Sequence, residues 1–107
     1  MELPTLVAQF VEAQNTYDSE AYVTCFTETA TVHDEGKTHT GKPEIREWIE
    51  RANEAYQSFM KPLKYEKSGS NGVLTAEVSG TFPGSPIVLK FHLGLKDDLI
   101  DSLKVTE

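Results

Sequence analysis

The chain has little of what several classes of protein require. Its 107 residues include one cysteine, Cys25, so it cannot build an internal disulfide framework. No apolar stretch approaches the ~20 residues that a membrane-spanning helix needs. Basic residues are scarce, with 10 Lys and Arg against 17 Asp and Glu and a net charge of -7. This balance argues against a nucleic-acid partner and against an anionic membrane surface, since both require clustered basic side chains.

Metal and targeting signals are also missing. One thiol and three histidines do not form a zinc-binding pattern of the usual spacing, so we expect neither a metal nor another cofactor. The residues from Met1 to Pro4 have no basic region and no long apolar run, and we do not interpret them as a signal peptide. These observations predict a cytoplasmic location. The length of the chain predicts one domain covering residues 1–107.

Apolar residues at spacings of three and four predict three helices. The first covers residues 4–15, with Pro4 in its first turn, and the second covers residues 19–26, with Asp18 as its N-cap. The third helix has the longest apolar stripe. The members of that stripe are Ile45, Trp48, Ile49, Ala52, Ala55, Tyr56 and Phe59.

After Pro62 the apolar residues alternate with polar ones, which predicts strands. Turn signals at Asn71–Gly72, Pro83–Pro86 and Lys96–Asp98 divide this region into four strands of an antiparallel meander. An isolated strand is predicted earlier, over Ala30–Asp34. Helices segregated from an antiparallel sheet with one apolar face define an α+β protein.

Two motifs and this order of elements resemble the nuclear transport factor 2 superfamily. Residues 26–34, Phe-Thr-Glu-Thr-Ala-Thr-Val-His-Asp, are similar to its F-x-x-D-A-x-V-x-D stretch. Residues 41–48, Gly-Lys-Pro-Glu-Ile-Arg-Glu-Trp, are similar to the G-x-x-A-I-R-x-W start of its long helix. Within the superfamily the chain most resembles SnoaL-like domain proteins, a group named after a polyketide cyclase.

The resemblance implies a cystatin-like cone, in which three N-terminal helices pack on a curved, mainly antiparallel sheet. The cone encloses an apolar pocket that is open at one end. The resemblance also implies a homodimer formed through the outer face of the sheet. Val88 and His92 alternate with the apolar residues of their strand and would lie on that outer face.

Asp34 is the strongest candidate for a catalytic residue. By strand alternation its side chain shares a face with Ala30 and Val32, where an unpaired carboxylate is costly unless it has a function. A carboxylate held in such surroundings suits a general base. The resemblance also implies this role, because the position of Asp34 matches that of the proton-abstracting aspartate of ketosteroid isomerase. The alternative is that Asp34 ends its strand and caps a turn at Glu35–Gly36.

Other parts of the isomerase site do not carry over. The position of the tyrosine that binds the enolate in that enzyme corresponds to Phe10 here, and the position of the enzyme's protonated aspartate lies near Phe91. Neither phenyl ring can donate a hydrogen bond, so we do not expect steroid isomerisation by that mechanism. His39 is the second catalytic candidate, because in this fold its connector borders the pocket. Exposure on a loop is the alternative for His39, and His33 is expected to face away from Asp34.

Five aromatic residues are candidate ligand contacts: Tyr17, Trp48, Tyr56, Phe82 and Phe91. Core packing is the plainer explanation for each, although buried Trp and Tyr side chains can present an N–H or O–H group to a cavity. Cys25 is interpreted as a small buried residue rather than a nucleophile, because no histidine is paired with it in the sequence.

The sequence therefore predicts a protein that binds a small apolar or aromatic molecule. If it is an enzyme, we expect a cofactor-free lyase, isomerase or cyclase step in which Asp34 moves a proton. One alternative is a non-catalytic ligand-binding or dimerisation module. Another is a domain with no pocket, in which Trp48, Phe82 and Phe91 fill the space.

Overall fold

A computed structural model describes residues 2–34 and 36–107 of the chain. This part contains three helices and six strands, as the α+β prediction requires. In chain order they are α1 (Thr5–Asn15), α2 (Ser19–Thr24), β1 (Phe26–Asp34), β2 (Lys37–Thr40), α3 (Lys42–Tyr56), β3 (Phe59–Ser68), β4 (Asn71–Ser79), β5 (Ile87–Lys96) and β6 (Leu99–Thr106).

The helices begin where the sequence predicts. Asp18 caps α2, since its carboxylate accepts a hydrogen bond of 3.0 Å from the backbone N–H of Ala21. Helix α3 follows Gly41 and has a proline in its first turn. However, α2 ends at Thr24 rather than at residue 26. The prediction of three N-terminal helices was also wrong, because α3 lies between β2 and β3 and only α1 and α2 precede the sheet.

All six strands form one sheet in the order β2-β1-β6-β5-β4-β3. Strands β3 to β6 pair antiparallel, which confirms the predicted meander. Strand β1 pairs parallel with β6, so the sheet is mixed. This pairing joins the strand predicted over Ala30–Asp34 to the meander, and the strand begins earlier than predicted, at Phe26.

The segment predicted as a connector is strand β2. It pairs antiparallel with β1, with Lys37 opposite Asp34 and Thr40 opposite Thr31. Its sequence, Lys-Thr-His-Thr, contains no apolar residue and so lacks the alternation by which a half-buried strand is identified. A short edge strand can do without that pattern. The predicted turn at Glu35–Gly36 includes Glu35, which lies outside the described residues.

The end of α3 also differs from prediction. Gln57 adopts a left-handed conformation, with φ 48°, and ends the helix. Phe59 therefore opens β3 instead of continuing the helical stripe, and its side chain is exposed. The spacing of Phe59 fits a helical period, and the pattern of apolar residues gives no sign that the helix ends before Gln57.

One of the three predicted turns is displaced. Ser68 pairs with Asn71, so the turn between β3 and β4 is Gly69–Ser70 rather than Asn71–Gly72. Gly69 has φ 59°, the conformation that hairpins with glycine at the first central position use. The predicted turns at Pro83–Pro86 and Lys96–Asp98 are confirmed.

The helices cover the inner face of the sheet. Helix α1 packs on α2 and β3, and α3 packs on α2, β1 and β2. Val32, Leu74, Leu93 and Leu103 project from four strands into this core and are fully buried. Cys25 is also buried, as predicted. In the described part of the chain, no helix is both long and apolar enough to cross a membrane.

Candidate functional site

A cavity of about 440 Å³ lies between the helices and the inner face of the sheet. All three helices and every strand except β2 contribute to its wall. Six aromatic residues line it: Phe10, Tyr22, Trp48, Tyr56, Phe82 and Phe91. Four polar residues share the wall, namely Gln14, Asp34, Asn53 and Ser58. The cavity is thus apolar with a few polar groups, which is the usual composition of a small-molecule site.

Asp34 lies at the end of β1 and lines this cavity. Its neighbours on the same face of the strand, Ala30 and Val32, are fully buried, whereas Asp34 is half-buried. The strand alternation therefore brings one carboxylate to the edge of an apolar chamber. A catalytic function for this carboxylate remains a prediction.

Tyr22 is one of the cavity residues with a polar group that we did not predict as site residues. It projects from α2 and is 2% exposed. Burial raises the pKa of its phenol well above the ordinary value, and the nearby charges of Cys25 and Asp34 raise it further. Tyr22 therefore remains a neutral phenol at physiological pH, within the electrostatic reach of Asp34. A neutral phenol beside a carboxylate can donate a hydrogen bond to a developing anion.

The aromatic residues are held by contacts with one another. The Tyr22 ring lies 5.2 Å from that of Phe10 and 6.3 Å from that of Trp48, measured between centroids. The Phe10 ring in turn makes an edge-to-face contact with Phe91 at 6.3 Å. This cluster joins α1, α2, α3 and β5 around the cavity.

The loop after β4 closes another side of the cavity. The Thr81 backbone N–H donates a 2.7 Å hydrogen bond to the carbonyl of Tyr56, at the end of α3. The hydroxyl of Thr81 donates to the same carbonyl at 3.0 Å. The loop is thereby anchored to the helix, and Phe82 packs edge-to-face on Tyr56 at 6.0 Å.

Two predicted site residues, His39 and Tyr17, do not line the cavity. His39 lies on β2, where its ring stacks at a tilt 5.7 Å from that of Trp48, so it contacts the cavity wall from behind. His33 is exposed, as predicted, and shares a 3.1 Å hydrogen bond with Thr38. Trp48, Tyr56, Phe82 and Phe91 all lie on the wall, and only Tyr17 of the five aromatic candidates does not.

Tyr17 lies at the end of α1 and is exposed. Its φ of 56° is left-handed, and its N–H donates to the Gln14 carbonyl at 3.2 Å. The next N–H, that of Asp18, donates to the carbonyl of Ala13 at 3.0 Å. These two bonds form a Schellman motif, in which Tyr17 occupies the position that glycine usually takes.

The polar pair Gln14 and Asn53 was also missed. The Gln14 side-chain amide donates a 3.0 Å hydrogen bond to the Asn53 side-chain oxygen, which links α1 to α3. A signal was present in the sequence, because Gln14 follows Phe10 by four and Val11 by three residues, within the apolar stripe of α1. In the described ranges, no three His, Cys, Asp or Glu side chains group in a way that would hold a metal ion.

The fold and the cavity first define the class of protein. It is an α+β domain with an open apolar cavity between its helices and its mixed sheet, and a carboxylate and a phenol lie on the cavity wall. The family follows from comparison. Residues 7–100 match the family model of the SnoaL-like domain, and the chain belongs to this family. The resemblance noted in the sequence is thereby confirmed.

Solved structures support the same assignment. A candidate polyketide cyclase from Sinorhizobium meliloti is 34% identical, with a TM-score of 0.93 over 97% of this chain and 95% of that one. A protein with a ketosteroid isomerase-like fold from Catenulispora acidiphila, solved in complex with trimethylamine, is 21% identical, with a TM-score of 0.88 over 99% of this chain and 87% of that one. A cystatin-fold protein from Novosphingobium aromaticivorans is 18% identical, with a TM-score of 0.80 over 95% of each chain. The last two show the fold alone, and the third structure confirms the cystatin-like part of the fold prediction. None of the curated proteins compared with the chain matches it.

Proposed function

We propose that the cavity binds a small apolar or aromatic molecule and that Asp34 acts on it as a general base. The reaction would be a cofactor-free isomerisation, elimination or cyclisation. One observation carries this proposal, namely that Asp34 and Tyr22 lie on the wall of the same apolar cavity. The 34% identity to a candidate polyketide cyclase supports the reaction class.

The chemistry follows from the two polar groups. Asp34 would take a proton from a carbon next to a carbonyl group, and the electron pair of the broken C–H bond would move to the carbonyl oxygen. Tyr22 would donate a hydrogen bond to that oxygen, in place of the donors that Phe10 and Phe91 cannot supply. In an isomerisation, Asp34 returns the proton to another carbon. In an elimination, the enolate expels a leaving group from the neighbouring carbon, and that group departs with the electron pair of its bond and takes the proton from Asp34. In a cyclisation, the enolate carbon attacks a carbonyl carbon of the same molecule, and the alkoxide that forms takes the proton from Asp34. His39 would act as a positioning residue, because it contacts Trp48 rather than the cavity.

The base can be tested without knowing the natural substrate. We expect the protein to accelerate exchange of the α-protons of 1-tetralone with D₂O, followed by NMR, since this bicyclic ketone matches the apolar cavity. Asp34→Asn should lower the catalysed rate by about 10²-fold or more, the usual contribution of a general base. Tyr22→Phe should lower it by a similar factor, as loss of an oxyanion donor does.

Asp98→Asn is the matched control, since Asp98 lies in the turn between β5 and β6 and does not line this cavity. It should exchange 1-tetralone at the wild-type rate. Thermal unfolding of each variant shows whether the fold is kept. Wild-type exchange by a folded Asp34→Asn variant would remove Asp34 from the mechanism.

A second candidate function is non-catalytic binding of an organic amine. Aromatic rings around a carboxylate are the groups that recognise an alkylammonium cation, and Trp48 with Asp34 provides both. The trimethylamine complex of the Catenulispora acidiphila protein supports this alternative for the fold. Binding of trimethylammonium that is lost in Asp34→Asn, without any exchange of 1-tetralone, would favour the binder over the enzyme.

We further propose that residues 1–107 form one domain, that it acts in the cytoplasm, and that it pairs into a homodimer through the outer face of the sheet. Val88 is the main support for the dimer, since its apolar side chain is 47% exposed on that face. It stands opposite Glu77 of β4, so the surface is mixed in polarity. Such a face suits a dimer interface with a small apolar centre and a polar rim.

A further inference from the structure

Two amide side chains meet on the wall of the cavity. Gln14 comes from α1 and Asn53 from α3, and the Gln14 Nε2 group donates a 3.0 Å hydrogen bond to Asn53 Oδ1. Gln14 is 8% exposed and is, apart from Tyr22, the one buried side chain with a nitrogen or oxygen atom among residues 2–34 and 36–107. Asn53 is half-buried, and this uncharged polar pair contrasts with the aromatic rings of the cavity.

The pair does not use all of its hydrogen-bonding groups. Gln14 Oε1 and Asn53 Nδ2 have no hydrogen bond to any described residue. In the described part of the chain, every side-chain polar atom that is shielded from solvent has a hydrogen-bond partner. Both atoms must therefore be accessible. Because Gln14 is buried and lines the cavity, its accessible surface faces that cavity. Asn53 is half-buried and lines the same cavity, to which its amide can present Nδ2.

The free atoms are one acceptor and one donor. If both side-chain amides rotate by 180°, Asn53 becomes the donor and Gln14 the acceptor of the hydrogen bond between them. One donor and one acceptor are again left for a ligand. A ligand group satisfies both only if it can donate and accept at the same point, as a hydroxyl or a primary carboxamide does. A carboxylate cannot donate and an ammonium cannot accept, and either charge would also lose its hydration there.

The end of α1 that carries Gln14 is held in place by the next residue. Asn15, the residue next to Gln14, clamps α1 to β3 through two bonds: its amide N–H donates to the Met60 carbonyl at 2.9 Å, and its oxygen accepts from the Met60 N–H at 2.8 Å. The end of α1 is thus fixed against the sheet. A preorganised polar pair discriminates between ligands better than a mobile one, since less freedom is lost on binding.

We infer that Gln14 and Asn53 form a specificity site that selects ligands carrying a neutral hydroxyl or carboxamide group. The inference rests on the proposed function, in that the cavity must bind a small molecule. It adds the class of substituent that the deep wall of the cavity recognises, which the Asp34 chemistry does not determine.

The test compares 2-naphthol with 2-methylnaphthalene, two probes of nearly equal shape that differ in one hydroxyl. We expect wild-type protein to bind 2-naphthol about 10-fold more tightly, because the methyl group leaves the amide atoms unpaired. The preference should fall to about twofold or less in Gln14→Leu and Asn53→Leu. In NMR spectra of ¹⁵N-labelled protein, 2-naphthol should shift the side-chain NH₂ signals of both residues. The signals of each residue are assigned because they are absent from the spectrum of its leucine variant.

Gln9→Leu is the matched control, since Gln9 is an exposed amide of the same helix that does not line this cavity. It should keep the full preference. Equal binding of the two probes by wild-type protein would overturn the specificity site while leaving the binding cavity intact. Failure of both probes to bind would overturn the cavity as a ligand site, and the specificity site with it. A preference that survives in the folded Gln14→Leu and Asn53→Leu variants would also overturn the inference.

Discussion

At the scale of single residues, burial controls the protonation of two neighbouring groups. Tyr22 and Cys25 are three residues apart and both are almost fully buried. Loss of hydration raises the pKa of the Tyr22 phenol and that of the Cys25 thiol. Each group is neutral when protonated, so the folded state keeps its proton to a higher pH than the unfolded chain does.

We therefore predict that the protein loses stability in alkali. The contribution of each protonated group to stability is fully present below its ordinary pKa, which is 9.0 for the thiol and 10.0 for the phenol. That contribution is lost as the pH rises through the raised pKa of the folded state. The free energy of unfolding in urea should fall by about 1.4 kcal/mol per pH unit for each group once the unfolded chain releases its proton. Tyr22→Phe should reduce that slope above about pH 10, whereas Tyr17→Phe, which alters an exposed phenol, should leave it unchanged. A slope that is the same in Tyr22→Phe would contradict the prediction.

At the scale of elements, the end of α1 carries local strain. Tyr17 occupies the left-handed position of a Schellman motif, and a side chain with a Cβ atom costs about 1–2 kcal/mol there. Tyr17→Gly should therefore stabilise the protein by about 1 kcal/mol, after allowing for the greater freedom of glycine in the unfolded chain. That gain corresponds to a rise in melting temperature of about 4 °C or more.

Tyr17→Ala separates the two causes, because it removes the ring but keeps the Cβ atom in the left-handed conformation. Calorimetry should show no gain for alanine. If alanine stabilises the protein as much as glycine does, the ring and not the backbone is the source of the strain.

The elements also show what a sequence can predict. The stripe through Ile45, Trp48 and Ile49 identified α3, because a packed helix must repeat its apolar residues at its own period. Strand β2 was missed since its edge position leaves it without a buried face. The extension of α3 to Phe59 failed for a different reason: the helix ends on the backbone conformation of Gln57, which hydrophobic spacing does not report.

The candidate site was predictable to a similar degree. Alternation along β1 directed Asp34 to the inner face, and the helical stripe brought Trp48 to the cavity. The pair of Gln14 and Asn53 could not be foreseen as a pair, because it joins residues 39 positions apart. Only the tertiary packing of α1 and α3 brings them together.

At the scale of the whole molecule, the chain combines a compact shape with an open cavity between its helices and its sheet. Its radius of gyration is 12.6 Å, close to the ~13 Å expected for a folded chain of this length. The cavity of about 440 Å³ nevertheless occupies volume that side chains would otherwise fill. A small protein with a hollow core has less buried apolar area to stabilise it, and burial between subunits would compensate.

A homodimer through the outer face of the sheet is the last prediction. A stable interface needs about 800 Å² from each partner, roughly an eighth of the 6256 Å² surface of this chain. Sedimentation equilibrium should give a mass twice the 11.9 kDa of one chain. Val88→Lys should shift the protein to the monomer, because it places a charge at the exposed apolar centre of that face. Gln9→Lys adds the same charge on α1, which packs on the inner side of the sheet and not on its outer face, and should remain dimeric. A wild-type protein that sediments as a monomer at all concentrations would contradict the dimer, and the core around the cavity would then have to stabilise the fold alone.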